Sequence, residues 1–304
     1  MTTRTYRIGH SCIKILLPED MPIPANMSLF ETADVPETLD AVYEIRFSDD
    51  LQSDTQSAIA RKSPGTLIDR PKLIQFETDN GAGECRLLRF EGAKYPYAVT
   101  LESPRGSFEV AFDRQYADLL SYDTVFNSLL SLERIMIRKN ALILHSSYLD
   151  VNGQALLFSG PSGIGKSTQA DLWVRHRGAA ILNGDKSLLI RETDGWYAHG
   201  WPICGSSGIC RNESRRIRAI VMLRKAPSNL CRKMNPFSAA LELMEQITTN
   251  PWDRDFRLRV MDLTDRLIAE VPVYELFCDI SEDAVECLDE VLRELFPHSQ
   301  PLYS

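Results

Sequence analysis

One segment constrains the fold of this chain more than any other. Residues 160–168 read Gly-Pro-Ser-Gly-Ile-Gly-Lys-Ser-Thr, with an apolar run at 155–158 before them and a helix-forming stretch at 166–176 after them. Glycine lets a backbone turn sharply and approach a ligand closely. The sequence therefore predicts a strand, a glycine-rich turn and a helix, a unit characteristic of α/β folds.

The turn matches the pattern Gly-x-x-x-x-Gly-Lys-[Ser/Thr] in full, and each residue type has a physical role in it. A loop wrapped around a polyphosphate points successive N–H groups inward, and the following helix adds its positive N-terminal end. Lys166 supplies a compact charge for the β- and γ-phosphates, and the Ser167 hydroxyl is suited to ligate Mg²⁺. We therefore expect ATP to bind at Gly160, Pro161, Ser162, Gly163, Ile164, Gly165, Lys166, Ser167 and Thr168.

An acidic side chain follows on the next predicted strand, where residues 181–185 read Ile-Leu-Asn-Gly-Asp. An aspartate at the carboxyl end of a strand lies where α/β folds place ligands. Asp185 is therefore a candidate Mg²⁺ ligand, or the base that takes the proton of an attacking hydroxyl. Because Asn-Gly-Asp is also turn chemistry by itself, a purely structural role stays open.

The chain of 304 residues is long enough for about two domains, and its patterning changes along its length. Residues 1–112 show short strand patterns broken by turn signals, and residues 113–140 carry apolar residues at helical spacing. Strand and helix patterns alternate in residues 141–300. We predict a mixed α/β (α+β) protein with a smaller β-rich domain, a helical connector and a nucleotide-binding domain of mixed sheet and helices.

Composition and charge argue against several classes of protein. The formal charge is −8, so a chain-wide basic surface for nucleic acid is absent. No apolar run approaches the roughly 18 residues of a membrane helix, and the N-terminus has no signal-peptide core. The seven cysteines are scattered without a Cys-x-x-Cys pair, which favours reduced thiols over disulfides or a zinc site. We expect a cytoplasmic protein without nucleic-acid or membrane partners, and a homo-oligomer stays open.

Residues 144–159 read Leu-His-Ser-Ser-Tyr-Leu-Asp-Val-Asn-Gly-Gln-Ala-Leu-Leu-Phe-Ser and lead directly into the glycine-rich turn. This block resembles the C-terminal kinase domain of HPr kinase/phosphorylase, in which a strand-borne histidine, an Asp-x-x-Gly hairpin and an apolar strand precede a phosphate loop. It is also similar to short HPr-kinase-like proteins, some of which phosphorylate serine in peptide natural-product pathways. The resemblance implies a phosphoenolpyruvate-carboxykinase-like nucleotide fold, with His145 near the transferred phosphate and Asp185 as the base.

The sequence departs from that family around the expected metal. Asp185 stands alone between Gly184 and Lys186, where the family has two adjacent aspartates. The stretch 197–202 reads Tyr-Ala-His-Gly-Trp-Pro and contains no carboxylate, whereas the family has a metal-serving glutamate there. These differences put the metal shell and the reverse reaction, phosphorolysis, in question, and the different N-terminal domain argues against HPr as the substrate.

The motif and the resemblance together predict an ATP-dependent serine kinase, a phosphotransferase that uses Mg²⁺. The predicted catalytic residues are Asp185, His145 and Lys166, and the predicted metal ligands are Ser167 and Asp185. We expect the phosphate acceptor to be a serine of a peptide or protein. Two alternatives remain open: a kinase for a small amino acid or sugar alcohol, and a nucleotide-sensing binding module that transfers nothing.

Two further groups of residues are ambiguous. The small residues 205–208, Gly-Ser-Ser-Gly, present N–H groups that could bind substrate, and they could equally form a plain loop. A basic cluster could meet phosphates or an acidic peptide, although a solvated face is the better interpretation. It consists of Arg211, Arg215, Arg216 and Arg218.

Overall fold

The computed structural model describes residues 1–81, 83–102 and 106–295. The chain forms two compact units: unit 1 consists of Met1–Lys139 and Asn250–Arg257, and unit 2 of Asn140–Thr249 and Leu258–Ser304. Each unit combines helices with a sheet of parallel and antiparallel strands, which confirms the mixed α/β class. The domain boundaries predicted from the sequence stay a prediction. No described helix is long and apolar enough to cross a membrane.

Unit 1 contains one eight-stranded sheet in the order β1-β2-β3-β8-β7-β6-β5-β4. Its strands are β1 (Thr2–Ile8), β2 (Ser11–Leu17), β3 (Ala41–Ser48), β4 (Ile68–Arg70), β5 (Leu73–Thr78), β6 (Gly83–Leu88), β7 (Ala98–Glu102) and β8 (Ser107–Asp113). Among the strand pairs that the structure describes in unit 1, only β2–β3 and β3–β8 are parallel. The described helices that lie wholly in unit 1 are α1 (Leu51–Ala60), α2 (Asp123–Ser128) and α3 (Leu132–Arg138), besides 3-10 segments at Ala25–Phe30, Asp79–Gly81 and Arg114–Ser121.

A network of buried charges forms part of the interior of unit 1. Glu84 of β6 is almost fully buried and receives hydrogen bonds from Arg86 Nε (2.5 Å) and Trp252 Nε1 (2.8 Å), with Arg134 Nη1 at 3.3 Å. Burial acts to raise the pKa of Glu84, but Arg86 and Arg134 hold it below its usual value. Because a buried carboxylate is tolerated only when it is paired, this network explains why Asn250–Arg257 belongs to unit 1.

Unit 2 contains a second sheet in the order β10-β9-β12-β13-β14-β16-β15, in which β11 also pairs with β9 and β10 pairs with β14. Its strands are β9 (Ala141–Val151), β10 (Gln154–Ser159), β11 (Ala180–Asn183), β12 (Lys186–Glu192), β13 (Gly195–His199), β14 (Ser214–Lys225), β15 (Leu230–Lys233) and β16 (Val273–Cys278). The β10–β14 pairing closes five of these strands into a ring. In this ring β10 lies between β9, which runs antiparallel to it, and β14, which runs parallel to it.

The remaining helices are α4 (Lys166–Arg177), α5 (Pro236–Gln246), α6 (Arg254–Glu270) and α7 (Glu282–Leu295), with a 3-10 turn at Gly205–Ser207. Helices α4 and α7 pack on β10, β14 and β16 around Phe158, Trp173 and Leu276. Val285, Leu288 and Leu292 are buried and form the apolar face of α7. Each such side chain contributes about 1.5–3 kcal/mol when it is buried, so α7 holds the strand ends and α4 in place.

Candidate functional site

The glycine-rich turn occupies residues 160–165, between the end of β10 and the start of α4. The helix begins at Lys166, where the sequence predicts it. Gly160 has a φ of 137° and Gly165 a φ of 116°, conformations that residues with a side chain rarely adopt. A Cβ on Gly160 would also lie only 3.3 Å from Ile164 Cγ2. The motif glycines are therefore required by the backbone of this turn.

The turn and the first turn of α4 present a row of N–H donors. The first bond into the helix runs from Gln169 N to Gly165 O, at 2.9 Å. The N–H groups of residues 165–168 precede that bond, so they have no acceptor within the helix, and Gly165 offers no capping side chain. Ser167 and Thr168 are exposed at the same end. Aligned donors at the positive end of a helix form an anion-binding site.

Lys166 is buried, with 7% of its surface exposed, and its ammonium is held at the turn. Lys166 Nζ donates to Gly160 O at 2.9 Å and to Pro161 O at 3.2 Å. Burial lowers the pKa of Lys166, and the charge of Asp185 opposes that shift. An incompletely solvated ammonium at the turn is suited to bind an anion more strongly than an exposed lysine would.

Strand β9 places His145 beside the turn. Ser146 of β9 pairs with Ser159, the last residue of β10, while His145 pairs with Lys186 on the opposite edge. His145 Nε2 lies 3.7 Å from Asp185 Oδ1, which is beyond a direct hydrogen bond but within the range of an ion pair or a water bridge. The register of β9 thus explains why the histidine and the aspartate, forty residues apart in the sequence, meet at this point.

Burial is the main cause that lowers the pKa of His145, and the positive charge of Lys166 acts in the same direction. Asp185 and a hydrogen bond with Gln246 oppose this shift, but the net direction is downward. Because the ordinary histidine pKa is already near 6.5, the imidazole is mostly neutral at pH 7. A neutral imidazole can orient a neighbour or accept a proton, but it contributes no positive charge to the site.

Asp185 lies in the link between β11 and β12, two residues beyond the end of the strand that the sequence predicts to carry it. Asn183 holds this link: its Oδ1 accepts hydrogen bonds from Asp185 N and Lys186 N, both at 2.9 Å. Asn183 Nδ2 in turn donates to Trp201 O (2.8 Å) and Ile203 O (3.0 Å). Sequence reasoning missed Asn183 as a positioning residue, although Asn-Gly-Asp does predict this kind of side-chain-to-backbone turn.

The small-residue loop 205–208 packs directly against Asp185. A Cβ added to Gly205 would lie 3.0–3.1 Å from Asp185 Cβ, Cγ and Oδ1. A Cβ added to Gly184 would lie 2.0 Å from Ser207 Oγ. This loop therefore forms one wall around the carboxylate, and its role in binding a substrate stays a prediction.

An open cavity of about 630 Å³ adjoins the other side of the turn. Its walls are formed by the turn, the start of α4 and the ends of β14 and β16. Thr168, Gln169, Lys225 and Asp279 provide polar groups, and Ile280 is an exposed apolar one. A volume of this size is ordinary for a small-molecule site.

The donor set fits Mg²⁺ in its chemistry. Magnesium prefers hard oxygen ligands and needs only one or two from a protein. Ser167 offers an exposed hydroxyl, and Asp185 offers a carboxylate that is 29% exposed. The two predicted metal ligands are thus both accessible, and His145, Lys166 and Asp185 lie close enough for their charges to influence one another.

The basic cluster has largely structural contacts. Arg215 donates to Asp150 Oδ2 and Glu213 Oε2, both at 2.6 Å. Arg218 is 9% exposed and donates to Leu292 O of α7 at 2.9 Å. These contacts favour the interpretation of the cluster as a structural and solvated face.

The family model described as SynChlorMet cassette protein ScmC matches residues 116–293. Among solved structures, the Hpr(Ser) kinase/phosphatase from Coxiella burnetii is similar, with a TM-score of 0.31 and 13% identity over 50% of this chain and 89% of that one. No curated protein matches the chain. The family model spans more than half of the chain, which therefore belongs to the ScmC family.

Proposed function

We propose that unit 2 is an ATP- and Mg²⁺-dependent phosphotransferase that moves the γ-phosphate to a hydroxyl group. One observation carries the proposal: a turn with four N–H groups that precede the first helical hydrogen bond, and with a buried lysine, has a histidine and an aspartate at its side. An anion site alone would bind phosphate. The adjoining carboxylate adds a group that can take a proton, which a binding site for phosphate does not need.

In the proposed complex, the phosphates lie along residues 160–168. The N–H groups of residues 165–168 donate to phosphate oxygens, and Lys166 turns from the carbonyls of Gly160 and Pro161 toward the β- and γ-phosphates. Ser167 and Asp185 are the residues that would hold Mg²⁺, which neutralises phosphate charge when it is bound. The base and ribose fit the cavity at Thr168 and Gln169.

Transfer would begin when the acceptor oxygen attacks the γ-phosphorus in line with the bond to the β-phosphate. That bond breaks, ADP leaves with the bonding electrons, and the hydroxyl proton passes to Asp185. Lys166 stabilises the charge on the transferring group, and neutral His145 orients the carboxylate or a phosphate oxygen. Because phosphoryl transfer needs little covalent help, positioning and electrostatics provide most of the acceleration.

The acceptor is proposed to be a serine of a peptide or protein. A small amino acid or sugar alcohol, and nucleotide sensing without transfer, are the alternatives. Cytoplasmic location, the absence of nucleic-acid and membrane partners, and homo-oligomer formation stay predictions from the sequence.

The test uses ATP labelled in the γ-phosphate and panels of serine peptides and small hydroxylated metabolites. Lys166→Ala should reduce ATP affinity or transfer by about tenfold or more, whereas Lys233→Ala, an exposed lysine on β15, should not. Asp185→Asn should lower turnover far more than ATP affinity if Asp185 is the base, and both equally if it mainly binds the metal. Asp171→Asn, an exposed aspartate on α4, is its control.

Each result separates the candidates. Label in a peptide supports the leading proposal, and label only in a metabolite supports the small-molecule kinase. Tight ATP binding without transfer to any acceptor supports the sensing module. Wild-type ATP affinity and turnover in Lys166→Ala would exclude the turn as the nucleotide site.

A further inference from the structure

Unit 1 contains a second open cavity, of about 570 Å³, which we name the aromatic cavity. Its walls come from the start of α1, from the segment 90–97 after β6 and from the segment 113–116 after β8. Phe90, Tyr95, Tyr97 and Tyr116 all line it. The volume is that of a site for a small ligand or a side chain.

The rings of the aromatic cavity are packed together and yet partly open to solvent. Phe90 lies 4.8 Å from Tyr97 and 4.9 Å from Tyr116, measured between ring centroids. These contacts fix the rings in place. Phe90 nevertheless keeps 39% of its surface exposed and Tyr95 keeps 53%. Clustered exposed aromatic surface is uncommon on a protein that has no ligand for it, because its burial would be favourable.

Carboxylates surround these rings. Asp50 Oδ1 accepts from Ser53 N at 3.0 Å, and Asp113 Oδ1 accepts from Gln115 N at 3.0 Å, so both groups are held at the rim by helix capping. Asp49 also lines the cavity and is exposed. Among the lining residues that the structure describes, Lys94 alone carries a positive charge.

Lys94 shows that an ammonium group can bind to a ring of the aromatic cavity. Its ammonium lies 5.1 Å from the centroid of the Tyr95 ring, in the range of a cation–π contact. A ring face that already attracts one ammonium, beside three carboxylates, is complementary to a second organic cation. It is not complementary to an anion, so the nucleotide proposed for unit 2 does not suit this cavity.

We propose that the aromatic cavity binds an organic cation, an alkylammonium or guanidinium group on an aliphatic stem. The stem would lie on Phe90 and Tyr95, and the charged head would replace Lys94 over the Tyr95 ring beside Asp49. The cation can come from a lysine or arginine side chain of a peptide or from a free polyamine, and the experiment distinguishes these sources. This proposal does not depend on phosphoryl transfer in unit 2.

Isothermal titration calorimetry of the full chain tests the proposal. The probes are blocked pentapeptides with a central Lys, Arg or Glu between glycines, together with spermidine. We expect binding of the Lys or Arg peptide and none of the Glu peptide. If spermidine binds more tightly than either basic peptide, the source is a free amine, and the reverse order indicates a peptide.

Variants of lining residues then locate the site. Tyr95→Ala and Asp49→Asn should each weaken cation binding about two- to five-fold, the size of an exposed cation–π or charge contact. Lys94→Met should strengthen binding, because it removes a competing ammonium. Tyr122→Ala, at a tyrosine that is 62% exposed and outside the cavity, and Glu19→Gln should change nothing.

Diffuse attraction is the competing explanation, because the chain carries a formal charge of −8. If binding were diffuse, Tyr95→Ala would leave the cation affinity unchanged. Lys94→Met would then raise the affinity only as much as Glu19→Gln lowers it, because each variant changes the net charge by one unit. Affinity that is unchanged in Tyr95→Ala and Asp49→Asn would overturn the proposal, as would equal binding of the Glu peptide or no binding of any cation. Circular dichroism of each variant verifies that these losses do not come from unfolding.

Discussion

Gly205 and Gly208 make a matched pair for testing whether Asp185 acts from its observed position. Both residues have left-handed backbones, with φ values of 57° and 66°. A Cβ on Gly205 would lie 3.0–3.1 Å from three atoms of Asp185, whereas a Cβ on Gly208 meets no atom within 4 Å. Gly205→Ala and Gly208→Ala therefore impose the same backbone strain, and only the first disturbs the carboxylate.

Backbone strain alone lowers the stability of both variants by the same amount. An alanine in the left-handed region costs about 1–2 kcal/mol relative to glycine. For a unit of this size, 1 kcal/mol corresponds to about 2–4 °C in Tm, so both variants should unfold about 2–8 °C below the wild type. Differential scanning calorimetry measures this shift, and a common value for the two variants shows that the strain is matched.

The expected effect on transfer differs between them. The contact at 3.0–3.1 Å is tighter than ordinary van der Waals packing, so the Asp185 side chain must give by a few tenths of an ångström. A misplacement of 1 Å can reduce a rate about 100-fold, so a few tenths correspond to about 3- to 10-fold. We expect turnover of γ-labelled ATP to fall by that amount in Gly205→Ala and to stay near wild type in Gly208→Ala, each with ATP affinity little changed.

A second measurement reports on the carboxylate without any turnover. Asp185 acts to raise the pKa of His145 from 3.7 Å away. Moving the carboxylate away should lower the pKa of His145 in Gly205→Ala and leave it unchanged in Gly208→Ala, as followed by NMR titration of the imidazole. Equal turnover and equal His145 titration in the two variants would refute the view that the loop wall positions Asp185.

Three further predictions concern other residues of the two units. Asn183→Ala should lower turnover more than ATP affinity in steady-state kinetics, because the Asn183 side chain holds the backbone of Asp185 and Lys186. Wild-type kinetics in this variant would mean that these two residues keep their position without Asn183. Glu84→Ala should lower the free energy of unfolding of unit 1 by about 1–3 kcal/mol in urea titrations, since Arg86 and Arg134 lose one buried partner while Arg86 keeps Glu133 and Arg134 keeps Glu102. Glu109→Ala at an exposed position of β8 should stay within about 0.5 kcal/mol. The pKa of His145 is lowered in the folded protein, so the unfolded chain binds the imidazole proton more readily. This group therefore favours folding above pH about 6.5, and that contribution is lost as the pH falls. His145→Gln should reduce the fall in the free energy of unfolding between pH 7.5 and 5, and an unchanged dependence on pH would contradict the prediction.

Local sequence was sufficient to predict the structure of the glycine-rich turn. Its glycines, lysine and helix start are determined by neighbours within ten residues, so the motif predicts β10, the turn and α4 correctly. The apolar face of α7 follows from helical spacing for the same reason. Asp185 lies two residues beyond β11, because the Asn183 side chain ends the strand by accepting hydrogen bonds from Asp185 N and Lys186 N.

Contacts between distant residues were not predictable from one sequence. Nothing in the run Gly-Glu-Cys-Arg-Leu-Leu of β6 indicates that every residue of it is buried, or that Glu84 meets Trp252. A buried carboxylate becomes favourable only when it is paired, and besides Arg86 of the same strand its partners come from α3 and from Asn250–Arg257. The wall that Gly205 forms around Asp185 is hidden for the same reason.

The charges at the candidate site favour the proposal that Asp185, rather than His145, is the general base. His145 and Lys166 both have lowered pKa values, so the protein disfavours adding positive charge there, and a proton on His145 would add it beside Lys166 and Lys186. A proton on Asp185 would instead neutralise the carboxylate. This would remove the negative charge that acts to raise the pKa of Lys166, but it would create no new cation. If His145 took the acceptor proton, it would become an imidazolium beside two lysines, whereas Asp185 would become a neutral carboxylic acid. The histidine is therefore better suited to orient the carboxylate than to replace it.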